Sequence, residues 1–276
     1  MSGSRVWLAA LRRLARRRSV NVGYHGVDTV RPEDDPENHC IPPDRFRHQL
    51  DLLADAGFEL VTVAELAQRA AGGPPPPGLA TISFDDGMEN NHRVVLPILR
   101  EAGVPATVYV TTGMIGKSNP WMGDGARMMD ERELAELAEA GIELGAHTVT
   151  HPDLSVLDEE ECYGEIAESK TALEAIAGRP VRTFAYPFCR YGDAALAAVR
   201  RAGFAAAVTC EGRGDWTPHR MKRALVTARD GTPSFVAKLA DVYQPIFDSA
   251  PGRLARAATR GARTRVRARD RDGAGR

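Results

Sequence analysis

Between residues 21 and 228 the chain alternates short apolar runs of strand character with longer runs whose apolar residues recur at helical spacing, and this limits the fold more than any other feature. NVGYHGV (21–27), FELVTV (58–63), LATISF (79–84), ATVYVTT (106–112), IELGAH (142–147), VRTFAY (181–186), FAAAVTC (204–210) and RALVTA (223–228) read as strands. Between them lie helical runs. DRFRHQLDLLADAG (44–57) carries an apolar stripe at Phe46, Leu50 and Leu53 and ends on Gly57; NHRVVLPILREAG, ERELAELAEAG, DEEECYGEIAESKTALEAIAG and DAALAAVRRAG follow. Repeated strand–helix units imply a mostly parallel sheet, open or closed into a barrel. GGPPPPG (72–78) reads as a stiff linker between units, since no change of composition follows it.

With 276 residues, 43% of them apolar, the chain can bury a substantial core. The net charge of −1 conceals an asymmetry: residues 1–19 carry six arginines and no acid, residues 251–276 carry nine arginines and two aspartates, and residues 20–250 stand at −14. The expected organisation is a basic amphipathic leader (1–19), a folded body (20–245) and a basic disordered tail (246–276). The leader is too interrupted by arginines for a secretory signal or a membrane span. Trp7, Leu11 and Leu14 fall at helical spacing opposite arginines, a pattern that suits an anionic membrane surface as well as a solvated helix. The expected location is therefore cytoplasmic or membrane-peripheral. An arginine tail without aromatics or a reading module gives no reason to expect a specific nucleic-acid partner. The four cysteines have no CxxC and no framework-like spacing, so neither a disulfide scaffold nor a zinc knuckle is indicated, and a reducing compartment is the default.

In parallel α/β folds ligands collect at the carboxyl ends of strands. Asp85 and Asp86 follow LATISF, His147 and His151 follow IELGA, Tyr186, Pro187 and Phe188 follow VRTFA, and His25 ends NVGY. Adjacent carboxylates repel, so Asp85 and Asp86 are tolerable only where a cation, a proton or hydrogen-bond donors hold them. His147 and His151 can converge on one ion, and Asp86 completes a two-histidine, one-carboxylate set. Alone, the histidines could equally be two satisfied loop residues; the aspartate pair favours a metal.

Ser83-Phe84-Asp85-Asp86-Gly87, His147-Thr148-Val149-Thr150-His151 and Phe184-Ala185-Tyr186-Pro187-Phe188 together resemble, in order and spacing, the motifs of the polysaccharide deacetylase family, the NodB-homology or carbohydrate esterase 4 group. The likeness spans residues 20–245. It implies a single-domain α/β fold, a distorted (β/α)7-type barrel with basic N- and C-terminal extensions, that hydrolyses an N-acetyl or N-formyl group on an amino sugar. It also implies one divalent transition metal, zinc foremost with iron, cobalt or nickel as alternatives, held by Asp86, His147 and His151. Asp85 matches the general base, Thr148 a site-lining position, and the backbone N–H of Phe188 an oxyanion donor, with Tyr186 and Arg190 on the substrate side. The implied partner is an N-acylated amino sugar or a lipid- or nucleotide-linked glycan.

Two departures stand out. The arginine that in the family holds the catalytic aspartate is replaced by Ala185, with Arg190 a substitute, and the family's late histidine, its general acid, is missing. His25 is the leading candidate for that acid, with Asp215 and His219 behind it; a packed histidine is the alternative for His25. GDWTPH (214–219) weakly resembles a family motif whose tryptophan lines the substrate groove, though a surface loop with a half-buried Trp216 is the simpler expectation. Cys189 has no evident base partner for a nucleophilic role. The departures leave a second reading, a non-catalytic sugar- or metal-binding descendant of the barrel, against which an intact Asp85 speaks.

Overall fold

The computed structural model describes residues 2–70, 72–210 and 216–241. Eleven strands occur among them: β1 Val20–Tyr24, β2 Gly26–Val27, β3 Cys40–Ile41, β4 Glu59–Val61, β5 Leu79–Phe84, β6 Thr107–Val110, β7 Glu143–Ala146, β8 Thr183–Ala185, β9 Ala206–Thr209, β10 Met221–Lys222 and β11 Ala224–Leu225. The α-helices are α1 Ser2–Ala15, α2 Pro43–Asp55, α3 Val63–Ala70, α4 Leu96–Ala102, α5 Glu131–Glu139, α6 Glu159–Ala177, α7 Asp193–Arg201 and α8 Thr232–Leu239.

Eight strands lie side by side in the order β10-β9-β8-β7-β6-β5-β1-β11, every neighbouring pair parallel. β10 and β11 are one extended segment interrupted only at Arg223, so residues 221–225 pair with β9 on one side and β1 on the other and draw the sheet into a nearly closed barrel. β4 pairs with the first half of β5 and β6 with its last two residues. A barrel buries both faces of its strands, and β5, β6 and β9 are buried along their whole length. This is the (β/α)7-type barrel that the motifs imply, as a single domain.

The helices cover the outside with the apolar stripes their spacing predicts. Phe46, Leu50 and Leu53 of α2 are buried, and capping boxes begin α5 at Asp130 with Glu133 and α6 at Asp158 with Glu161. α3 sits differently, packing against both β5 and β9, with Val63 and Leu66 in a second core beside Tyr109, Val208 and Met221. Its first N–H groups reach Thr107 and Glu143, at the starts of β6 and β7, so α3 closes the end of the barrel where strands begin. The sequence pattern hides α3 because FELVTV reads as one strand, whereas the strand stops at Val61 and Val63 already begins the helix.

α1 is a helix with Leu11 fully buried and Trp7, Leu8 and Leu14 packed on the core, against α2 and α8. The stripe that could have met a membrane packs instead on the protein's own core, against α2 and α8. Among the described residues no helix is long and apolar enough to cross a membrane. The expected tail, 246–276, and Asp215 lie outside the described residues. Cys189 and Cys210 are joined in a disulfide, which the spacing of the cysteines did not indicate. Their separation of 21 residues shows no framework, but β8 and β9 are neighbours and their following loops bring the two Cα atoms to 5.3 Å. The pairing removes Cys189 as a nucleophile.

Candidate active site

The carboxyl ends of β1, β5, β7 and β8 meet on one face, at the end of the barrel opposite α3. Asp85 and Asp86 leave β5, and Gly87 behind them lies against Val110 with φ +84°, where a Cβ would stand 3.2 Å from the valine side chain. His147 follows β7 and His151 closes the next turn. One ligand atom from each of Asp86, His147 and His151 lies within 4.8 Å of the others, and Asp86 Oδ1 is 3.5 Å from Nε2 of both histidines.

The donor set fits a metal ion on its own chemistry. Asp86 Oδ1 is buried with no hydrogen-bond partner, an expense that a cation between it and the imidazoles would remove. His147 Nδ1 donates to the Ala185 carbonyl at 2.7 Å, which fixes the tautomer and leaves the Nε2 lone pair facing Asp86. Burial and the neighbouring His147 push His151 down to about 4, so its imidazole is neutral near pH 7, the form that ligates. Burial opposes ionisation of Asp86, yet the imidazoles gathered around it, His147 foremost, hold it well below the ordinary carboxylate range.

The backbone is strained where the site is built. Asp86 (φ 73°), Thr148 (φ 66°), His151 (φ 62°) and Phe188 (φ 55°) all sit in the left-handed region, which costs most for a β-branched residue such as Thr148. Local hydrogen bonds hold the histidine turn. Thr148 Oγ1 accepts from the His151 N–H at 3.0 Å, and Glu165 on α6 accepts from the N–H groups of Val149 and Thr150 and from the Thr150 hydroxyl. Thr148 therefore shapes the ligand turn with its side chain.

Asp85 is buried and held by a residue the motifs do not contain. Arg223 donates from Nη1 to Asp85 Oδ1 and from Nη2 to Oδ2, both at 2.7 Å, and from Nη1 to Ser83 Oγ at 3.0 Å. Burial opposes the charge on Asp85, but the guanidinium outweighs it and keeps the carboxyl below its usual range. Beside it lies Gly23, where a Cβ would stand 2.9 Å from Leu225 Cδ2 and at ordinary contact distance, 3.5 Å, from Arg223. The expectation that Arg190 could take this role is corrected: Arg190 lies on the exposed turn after β8 and pairs with Asp153 at 2.9 Å. The signal in the sequence was an arginine opening the apolar run RALVTA.

The other candidates separate. His25 directly follows β1 on this face, and its Nδ1 is buried without a hydrogen-bond partner. Its ring stacks on His39 at 4.3 Å, a neighbour that sequence patterns did not reveal. His219 is turned away, with Nε2 on the Phe204 carbonyl at 2.9 Å. Tyr186 is buried between Phe184 and Tyr191 with its hydroxyl on the His219 carbonyl, so its side chain is structural. Phe188 is 55% exposed, and its ring and that of Trp121 stand 4.6 and 4.9 Å from His151. Two aromatic faces thus rim the ligand cluster, a shape suited to a sugar ring. Trp216 is half-buried against the second core rather than at this rim.

Residues 72–207 match the family model for polysaccharide deacetylase. The chain is 28% identical over 172 residues to YxkH of Bacillus subtilis (strain 168), named among the polysaccharide deacetylases, covering 62% of this chain and 59% of the relative. It is 26% identical over 176 residues to the poly-beta-1,6-N-acetyl-D-glucosamine N-deacetylase of Staphylococcus aureus (strain MRSA252), covering 60% of each. The chain thus spans about three fifths of the length of these relatives. Two solved structures share the fold, each with a TM-score of 0.68 at 24% identity: the Streptococcus pyogenes deacetylase PplD in complex with acetate, covering 80% of this chain and 98% of that one, and IcaB from Ammonifex degensii, covering 80% and 97%. By the family model, residues 72–207, about half of the chain, form a polysaccharide deacetylase domain.

Proposed function

We propose that the chain is a metal-dependent N-deacetylase acting on an amino-sugar polymer or glycoconjugate, with Asp85 as general base and His25 as general acid. The observation that carries this reading is the buried Asp85–Arg223 pair directly beside the Asp86, His147 and His151 cluster. A binding protein has no use for a second carboxylate held ionised there.

Asp86, His147 and His151 would hold a divalent transition metal, with zinc the first candidate for a two-nitrogen, one-oxygen set. Such an ion supplies Lewis acidity toward the acyl carbonyl and makes water acidic enough to be deprotonated near neutral pH. Asp85, fixed through both oxygens by Arg223, takes the proton of the attacking water. The tight turn at Phe188, where the N–H groups of Cys189 and Arg190 are spent on the carbonyls of Tyr186 and Pro187, offers the Phe188 N–H to the developing oxyanion. His25, fixed at its carbonyl by the Asn91 side chain, gives a proton to the leaving amine. Trp121 and Phe188 seat the sugar. The missing family arginine, which favoured a non-catalytic descendant, is functionally replaced by Arg223.

The name of the staphylococcal relative supplies the first substrate to try, β-1,6-linked N-acetylglucosamine oligosaccharides, with lipid- and nucleotide-linked N-acetylamino sugars and N-formyl analogues as further arms. Released acid is measured with zinc-, cobalt- or nickel-loaded protein. The proposal expects release by wild type and none by Asp85→Asn. Absence of release from every arm by metal-loaded wild type would contradict it.

A further inference from the structure

At the end of the barrel closed by α3, opposite the aspartates and histidines, lies a cavity of about 620 Å³, within the size range of small-molecule sites. The turn from α1 into β1, residues Pro74 and Pro75, and the seam between β10 and β11 form its walls. Its charge is one-sided. Arg17, Arg18 and Arg220 line it, and none has a carboxylate partner among the described residues: Arg18 Nη2 donates to the Leu239 carbonyl and Arg220 Nε to Thr217 Oγ1. Lys222 and Lys238 add two more cations, and the carboxylates nearby are taken, Asp241 by Lys222 and Asp230 by Lys238, each at 2.6 Å.

Three donors remain buried without an acceptor, Arg18 Nε, Trp216 Nε1 and Arg223 Nε, and all three residues line the cavity. Arg223 is 2% exposed, so its idle Nε is a desolvated donor that water does not satisfy. Cations gathered in one wall repel each other, and guanidinium groups match the oxygens of a phosphate in geometry as well as charge. Trp216 and Tyr191, both partly buried, add flat apolar faces to the same lining, the complement of a sugar ring.

We propose that this cavity binds a phosphorylated sugar, its phosphate held by Arg17, Arg18 and Arg220 and its ring set against Trp216 and Tyr191. The site is separate from the catalytic cluster and does not depend on the deacetylase reading.

The test is isothermal titration of the full chain with glucose 1-phosphate, inorganic phosphate and glucose. Expected is saturable one-site binding of glucose 1-phosphate that weakens as salt rises, inorganic phosphate at least tenfold weaker, and no binding of glucose. The double variant Arg17→Glu, Arg220→Glu, at two exposed positions, should lose at least tenfold in affinity for glucose 1-phosphate. Trp216→Ala should weaken glucose 1-phosphate and leave inorganic phosphate unchanged, and His147→Ala should change neither. The proposal is overturned by no saturable binding to wild type, by binding that survives the charge reversal, by inorganic phosphate binding as tightly as glucose 1-phosphate, or by binding lost in His147→Ala, which would place the phosphate among the metal ligands.

Discussion

Asp85 and Asp86 are neighbours in sequence, and what separates them is the partner each meets. Asp86 faces two imidazoles, whereas Asp85 is gripped by Arg223 through both oxygens. Asp85→Asn should therefore abolish hydrolysis while metal content, read by plasma mass spectrometry, stays near wild type. Arg223→Gln leaves a buried carboxylate without its cation, which costs about 3–5 kcal/mol, readable by urea denaturation. The same change moves activity along the pH axis. Asp85 is depressed in the folded protein, so the pair stabilises above the unfolded carboxylate value and that stability is lost as pH falls through the folded value. With burial unopposed in the variant, the carboxyl titrates at higher pH, and the acid limb of kcat/KM shifts upward. Both aspartates and both histidines were legible because their spacing is local. Arg223 was not: it lies 138 residues from Asp85 and is joined to it only when residues 221–225 close the barrel.

At the scale of elements, α6 and α1 show how helices outside the barrel govern the site and the body. Glu165 reaches from α6 to clamp the turn that carries His151. Glu165→Ala should weaken metal affinity by about 10–100-fold in competition with a chelating dye, as losses of ligand-orienting partners do. Leu11 is the anchor of α1, and Leu11→Ala should destabilise by about 2–5 kcal/mol, measured by urea denaturation. The amphipathic pattern of α1 was readable; its use was not, because an apolar stripe says that something covers it and not what. The strands were legible as short apolar runs, and LATISF spans β5 to the residue. α3 and α8 were missed, the first because a strand run flows into it without a break.

In the whole molecule the two ends of the barrel are chemically opposed. The carboxyl ends of the strands gather carboxylates and imidazoles, while the other end gathers guanidinium and ammonium groups, within a body whose sequence is acidic. Arg223 stands between them, lining the basal cavity while its Nη atoms hold Asp85. Net charge alone concealed this division, since only folding sorts residues by end. The fold class was legible from strand–helix alternation and the Asp86, His147 and His151 cluster from motif spacing. Barrel closure and the Cys189–Cys210 pairing depend on contacts between neighbouring strands that no periodicity encodes. The account stands on Asp86, His147 and His151 acting as one metal centre, and metal content by plasma mass spectrometry tests it most directly, on wild type and on the His147→Ala, His151→Ala double variant after loading with zinc and desalting. Near one equivalent in wild type and none in the double variant is the predicted result; no retained metal in wild type, or equal metal in both, would contradict it.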